Sequence, residues 1–173
     1  MRLPRNIALG GVLWFALLAS ACGFHVQGAT GLPPGVSRVY VAASEQLSPF
    51  VVELGRGLER AGAERAPSAG EADAVIRVHA DRTGRRVLSV SARNTPQEYE
   101  IYYAVDYSIE RGGSVVLPVQ RIELTRNFTF DESLLLAKDR EEQILREAMA
   151  RDLAGQVLRR LESAPPAQSG PSR

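Results

Sequence analysis

Glu98-Tyr99-Glu100-Ile101-Tyr102-Tyr103-Ala104-Val105-Asp106-Tyr107-Ser108-Ile109-Glu110-Arg111 alternates with a period of two. Tyr99, Ile101, Tyr103, Val105, Tyr107 and Ile109 fall on one side, and Glu98, Glu100, Asp106, Ser108 and Glu110 on the other. That is a strand with one buried and one wet face. Gly112-Gly113-Ser114 reads as a hairpin turn, so the next segment, 115–130, returns beside it. There Ile122, Leu124, Phe128 and Phe130 share one parity, while Pro118 marks a bulge or an edge strand. Strict alternation puts Arg126 on the apolar side. Either a bulge turns it outward, the preferred reading, or it makes a buried pair. Upstream, Ile76, Val78 and Ala80 share a face, and Leu88, Val90 and Ala92 continue that parity beyond an interruption at Thr83-Gly84. Arg77, His79 and Asp81 then line the polar face.

A one-sided sheet needs a cover, and two segments have the helical period to supply it. Ser48-Pro49 gives an N-cap and a Pro at the first helical position, and Phe50, Val51, Leu54, Leu58 and Ala61 recur at helical spacing up to Gly62. From 134 to 161, Leu145, Met149, Leu153, Val157 and Leu161 form one stripe, opposite Arg140, Glu141, Glu142, Glu147, Arg151 and Arg159. Val36 to Ala43 is a first strand, and 63–73 a polar connection. The expected fold is therefore α+β, in the order β-α-β-β-β-α, with a four-stranded mixed sheet and both helices packed on one face. The domain spans 36–162. Residues 22–35 read as a tether, and 163–173, rich in Pro, Ser and Gly, as a disordered tail.

Among 173 residues, 21 Lys and Arg face 20 Asp and Glu, so the basic excess of a dedicated nucleic-acid binder is missing. One cysteine and two histidines exclude a disulfide framework and a Cys/His zinc cluster, and no cofactor is expected. The cysteine has another use. Arg2 and Arg5 precede an uncharged stretch, Ile7 to Ala21, that is short for a membrane span. Leu18-Ala19-Ser20-Ala21-Cys22 then has the form of a bacterial lipobox. Residues 1–21 read as a lipoprotein signal peptide and Cys22 as the acylated mature N-terminus, with Gly23 favouring delivery to the outer membrane. Several acyl chains on one residue anchor stably, where one chain is marginal.

Further residues follow an order that is similar to a known family. Cys22-Gly23-Phe24-His25-Val26, Arg93-Asn94 before Gln97-Glu98-Tyr99-Glu100-Ile101, Arg126-Asn127-Phe128, and Leu136-Ala137-Lys138-Asp139 followed by Glu141-Glu142 and Met149 resemble the LptE family of lipopolysaccharide-assembly lipoproteins, also called RlpB. The resemblance implies two helices on a four-stranded sheet, an outer-membrane location, and a large β-barrel partner, LptD, that the lipoprotein plugs and helps to assemble. It also implies lipopolysaccharide contact, carried here to Arg93 and to Lys138, the chain's one lysine. Guanidinium and ammonium groups suit lipid A phosphates. The alternative for Lys138 is an i, i+4 pair with Glu142. Arg82, Arg85 and Arg86 form a second basic cluster, read as solvated surface or as a contact with headgroups or barrel wall. A compact domain of this size has a radius of gyration of roughly 14 Å, so a host barrel would be of about the 22-strand class.

An enzyme is not expected. Acylation would occupy the only thiol, His79 has no serine in a nucleophile elbow, and the adjacent Glu141 and Glu142 diverge on a helix. The second functional reading is a periplasm-facing pilot or ligand-binding lipoprotein for another client, such as a secretin or peptidoglycan. Intact-mass analysis of membrane-extracted protein should find a chain starting at Cys22 and carrying a diacylglyceryl and an acyl group. A free thiol at that position removes the anchor.

Overall fold

The computed structural model describes residues 31–92, 96–129 and 135–166. The elements are β1 (Arg38–Ala42), α1 (Pro49–Arg60), β2 (Glu64–Arg65), a short 3-10 turn (Ala69–Glu71), β3 (Ala74–Val90), β4 (Pro96–Arg111), β5 (Ser114–Thr129) and α2 (Leu135–Glu162). They form one sheet in the order β2-β1-β3-β4-β5. β1 is parallel to both its neighbours, and β3, β4 and β5 form an antiparallel meander.

The buried face of β4 is as its alternation predicts: Ile101, Val105 and Ile109 are fully covered, and Tyr103 and Tyr107 nearly so. Both helices lie over that face. Ser48 Oγ caps α1 by accepting from Val51 N at 3.2 Å, with Pro49 at the first helical position. Gly57 lets the helices meet closely, since a Cβ there would stand 2.4 Å from Leu158 Cδ1. Met149, Leu153, Val157 and Leu161 complete the core from α2. Tyr103 ties sheet to helix: its hydroxyl accepts from Phe50 N at 3.2 Å, and burial, reinforced by Asp81, pushes its titration far up.

The sheet has five strands, not four, and the order is β-α-β-β-β-β-α rather than β-α-β-β-β-α. The added strand is β2, within the segment read as a polar connection. Its two residues are exposed and too few to show a period. Backbone bonds hold it, Glu64 N to Ser37 O at 2.8 Å and Ala66 N to Val39 O at 3.0 Å.

β3 departs further from strict alternation. Val78 pairs with Tyr107 but Ala80 with Asp106, so His79 is an extra residue, a β-bulge. The bulge reverses parity. Ala80, Arg82 and Arg86 share the open face, whereas Asp81, Thr83 and Arg85 turn to the helix side; two further register shifts follow, at Val87/Ser89 and Ser89/Val90, and Leu88 and Val90 there are about half exposed. Thr83-Gly84 is no interruption, because pairing runs through Thr83↔Tyr103 and Gly84↔Tyr102.

In β5, Gly112 (φ 53°) and Gly113 (φ 77°) make a two-residue turn whose left-handed backbone favours glycine. Pro118 sits at a bulge on an edge strand, since Tyr107 pairs with Gln120 but Ile109 with Leu117. The bulge expected at Arg126 does not occur. Register is unbroken from Glu98↔Thr129 to Tyr107↔Gln120, so Arg126 stays on the helix side opposite Ile101. Its pair with Asp152 of α2, at 3.7 Å, is exposed, because α2 leaves this edge of the sheet uncovered.

Both chain ends are held at one place. Arg111, 8% exposed, donates to Pro34 O at 2.9 Å, to Ala164 O at 3.0 Å and to Pro165 O at 3.1 Å. Pro33 is buried and Leu32 packs on the core. Within the segments read as a tether (22–35) and a disordered tail (163–173), the inner residues Pro34, Ala164 and Pro165 are held where the guanidinium donors of Arg111 find carbonyls. The remaining residues of both segments lie outside the described ones, as does the signal peptide. Sixteen residues of β4 extend about 50 Å and 28 residues of α2 about 42 Å, so the domain is elongated.

Asp73 fastens the start of β1, accepting from Ser37 N at 2.9 Å and Arg38 N at 2.8 Å, and these backbone bonds hold its carboxyl below the usual value. A lowered native pKa stabilises the fold above the unfolded value and is lost as pH falls through the native one. Asp73→Asn should melt lower than the parent at pH 7. The gap should begin to close near pH 4 and vanish once the native carboxyl protonates. Melts followed by circular dichroism check this.

Candidate functional site

The end of the sheet opposite Arg111 gathers the second half of β3, the first half of β4 and the first turns of α2. Lys138, Glu142 and Arg146 stand at i, i+4 and i+8 on α2, continuing towards its start the stripe that carries Met149 and Leu153. Glu142 is 6% exposed. Its carboxylate accepts from Arg85 of β3 at 3.4 Å and from Arg146. Two guanidinium groups thus share one carboxylate, and Arg146 Nε, buried, has no acceptor among the described residues. Arg85 also lies 5.1 Å from the centre of the Tyr99 ring. Lys138 Nζ bonds Glu141 at 2.9 Å. The pair is i, i+3 rather than the alternative i, i+4 pair, since Glu142 faces the sheet and is taken.

On the open face the same end is organised around Arg86, which donates to Glu100 at 2.5 Å and to Glu123 at 3.4 Å and lies 5.2 Å from the Tyr102 ring. Tyr102 covers Gly84 so closely that a Cβ would meet its hydroxyl at 2.6 Å. The pattern continues along the sheet. Asp106 takes Arg82 at 2.6 Å and Arg121 at 3.2 Å, and Glu110 takes Arg77 at 2.9 and 3.2 Å. The face without helices is a ladder of matched charges across three strands.

Of the residues singled out in the sequence, Cys22 and Arg93 lie outside the described ones. Val90 and Pro96, which flank the Arg93 segment, pair at the same end as the start of α2. Arg82, Arg85 and Arg86 are not one cluster: the bulge puts Arg85 on the helix side and the other two on the open face, all in ion pairs. His79 Nε2 meets Ser108 Oγ at 2.8 Å. Ser108 is buried in mid-strand, and Asp81 has turned to the other face, so Asp81 does not orient the imidazole. Glu142 and Arg146 were not legible as partners of Arg85. The available signal was their spacing, two charged residues on the stripe that holds the core further along.

Cations held on sheet and helix beside carboxylate partners form an arrangement suited to binding or assembly. The lipopolysaccharide-assembly family LptE matches residues 36–161, and the chain belongs to that family, whose members are assembly lipoproteins and not enzymes. Among relatives, the LPS-assembly lipoprotein LptE of Pectobacterium atrosepticum is 26% identical over 87% of this chain and 82% of its own. That of Yersinia enterocolitica is 23% identical over 84% and 70%. The solution structure of lipoprotein B from Nitrosomonas europaea superposes with a TM-score of 0.69 at 28% identity, covering 82% of this chain and 91% of that one. Rare lipoprotein B from Shewanella oneidensis shares the fold, with a TM-score of 0.64 at 23% identity, over 73% and 95%.

The two faces should respond differently to mutation. Glu142→Ala leaves two guanidinium groups without their acceptor and should cost about 1–3 kcal/mol of stability. Arg86→Ala, on the exposed ladder, should cost under about 1 kcal/mol. Urea titration of both variants makes the comparison.

Proposed function

We propose that this chain is an outer-membrane lipoprotein, anchored through Cys22, that plugs and assists the assembly of a large LptD-like β-barrel and contacts lipopolysaccharide as it passes to the outer leaflet. The observation that carries the reading is the helix-free sheet face. It is long and polar, and its charges are neutralised within the domain by the Arg77–Glu110, Arg82–Asp106–Arg121 and Arg86–Glu100 pairs. Such a face fits the polar interior of a large barrel without burying unpaired charge. The relatives named as LPS-assembly lipoproteins support the same reading.

Lipopolysaccharide contact belongs at the far end. There Lys138 and the Arg85–Glu142–Arg146 group lie beside the strand ends that flank Arg93. Phosphate oxygens match these donors. Lys138 and Arg93 are the proposed contacts.

Purification of the anchored protein from membranes should bring down a heat-modifiable β-barrel. A ring-forming secretin or cell-wall material in its place overturns the plug. Replacing Arg93 and Lys138 together by Glu should abolish lipopolysaccharide binding, with the circular dichroism spectrum and barrel association intact. Binding that persists removes these two residues from the site.

A further inference from the structure

The end of the domain that Arg111 organises has chemistry of its own. From Gly112 to Gln120 the chain reads Gly-Gly-Ser-Val-Val-Leu-Pro-Val-Gln, nine residues without a charge, whereas Arg121, Glu123 and Arg126 follow at once. This run is the β4–β5 turn and the first half of edge strand β5. Sheet edges are commonly guarded by charge. Here Val115 is 61% exposed and Val119 58%. The nearest acid across the strand, Glu110, is already held by Arg77. Either valine alone would be ordinary surface. Their place in the molecule is not ordinary, because Arg111 pairs with Ser114, next to Val115, and the same guanidinium grips Pro34 and Pro165.

That grip fixes where the N-terminal segment leaves the domain. The described chain runs back to Gly31, beside Glu162 at the clasp end of α2, and Cys22 lies only nine positions before it, a reach of at most about 32 Å. A lipid on Cys22 would therefore hold this tip, rather than the Lys138 end about 36 Å further along α2, beside the bilayer. A tethered surface sees a high effective concentration of its target, so a weak apolar contact suffices.

From the clasp, the uncharged run and the exposed valines together, we infer that the β4–β5 tip is a membrane-facing surface, with Val115 and Val119 entering the interface of the phospholipid leaflet that holds the anchor. The inference rests on the anchoring of Cys22 and does not require the barrel. Arg111 acts as a positioning residue by aiming the tip at the leaflet.

The test uses the full acylated chain in phosphatidylcholine vesicles; the sequence's one tryptophan, Trp14, belongs to the signal peptide, so a chain starting at Cys22 carries no native tryptophan emission. V115W, V119W and I144W are made singly. Ile144 is matched in exposure at 59%, but lies about 27 Å along α2 from the helix end at the clasp. Brominated lipid should quench V115W and V119W emission about twofold or more beyond I144W, as expected of groups set 5–10 Å into the interface. R111A in the V115W background should reduce quenching to the I144W level while the circular dichroism spectrum is retained. Quenching of V115W and V119W no greater than that of I144W in floating vesicles overturns the inference and leaves the barrel reading untouched. Chains that fail to float overturn the anchor and, with it, this surface. The comparison with I144W stands whether or not R111A folds.

Discussion

Everything in this domain depends on β4 having one face that must be dry. Ile101, Tyr103, Val105, Tyr107 and Ile109 are buried along a single strand, each such side chain contributing about 1.5–3 kcal/mol when taken fully out of water. α1 and α2 exist as helices because they cover that face. Gly55 and Gly57 lie within α1, each costing up to about 1 kcal/mol of intrinsic helix stability relative to Ala. Packing offsets that cost, and at Gly57 the missing side chain is what admits Leu158. Covering only one face has a corollary. The other side of the same strand had to be compatible with water or with a polar wall, and the matched charges on three strands make it so.

How much of this could be read in the sequence follows from which features are local. β4, the helix starting at Ser48-Pro49, the glycine turn at 112–113 and the α2 stripe are set by neighbours in the chain, and composition exposes them. What failed depends on partners. The bulge at His79 exists only relative to Tyr107, and its parity reversal sent Asp81 and Arg85 to the helix side without leaving a mark in the local pattern. β2 is two residues of backbone pairing, and no side-chain period can announce that. Arg126 obeyed alternation where an exception was expected, because the edge of the sheet lies beyond α2 and a guanidinium there reaches water without a bulge. At the candidate site Lys138 was visible through resemblance. Glu142 and Arg146 were visible only as charges on a core stripe, whose meaning required knowing that Arg85 faces them.

The two ends of the sheet are built on opposite electrostatic terms. Near Arg111 a guanidinium is spent on neutral carbonyls, an arrangement that fixes backbone and leaves the adjoining strand free of charge. Near Lys138 guanidinium groups outnumber the buried carboxylate they share, and Arg146 Nε has no acceptor among the described residues. Buried donors left in that condition are costly, so they mark a place where the fold has not been optimised for stability alone. A negatively charged group arriving there would find donors already held in position by Glu142, with little side-chain entropy left to lose.

Separation of these ends explains why the strands are so long. The buried stripe of β4 runs from Ile101 to Ile109, little more than half of its sixteen residues, and β3 is mostly exposed from Arg85 to Val90. Length instead gives reach. The apolar band of an outer-membrane barrel is about 25 Å tall, so a domain of about 50 Å held at one end extends through such a band or well past it. The clasp makes that length usable. With Pro34 and Pro165 fixed to the same guanidinium, both chain segments leave the sheet at one end, and the cationic end is held away from them by the stiffness of the sheet itself.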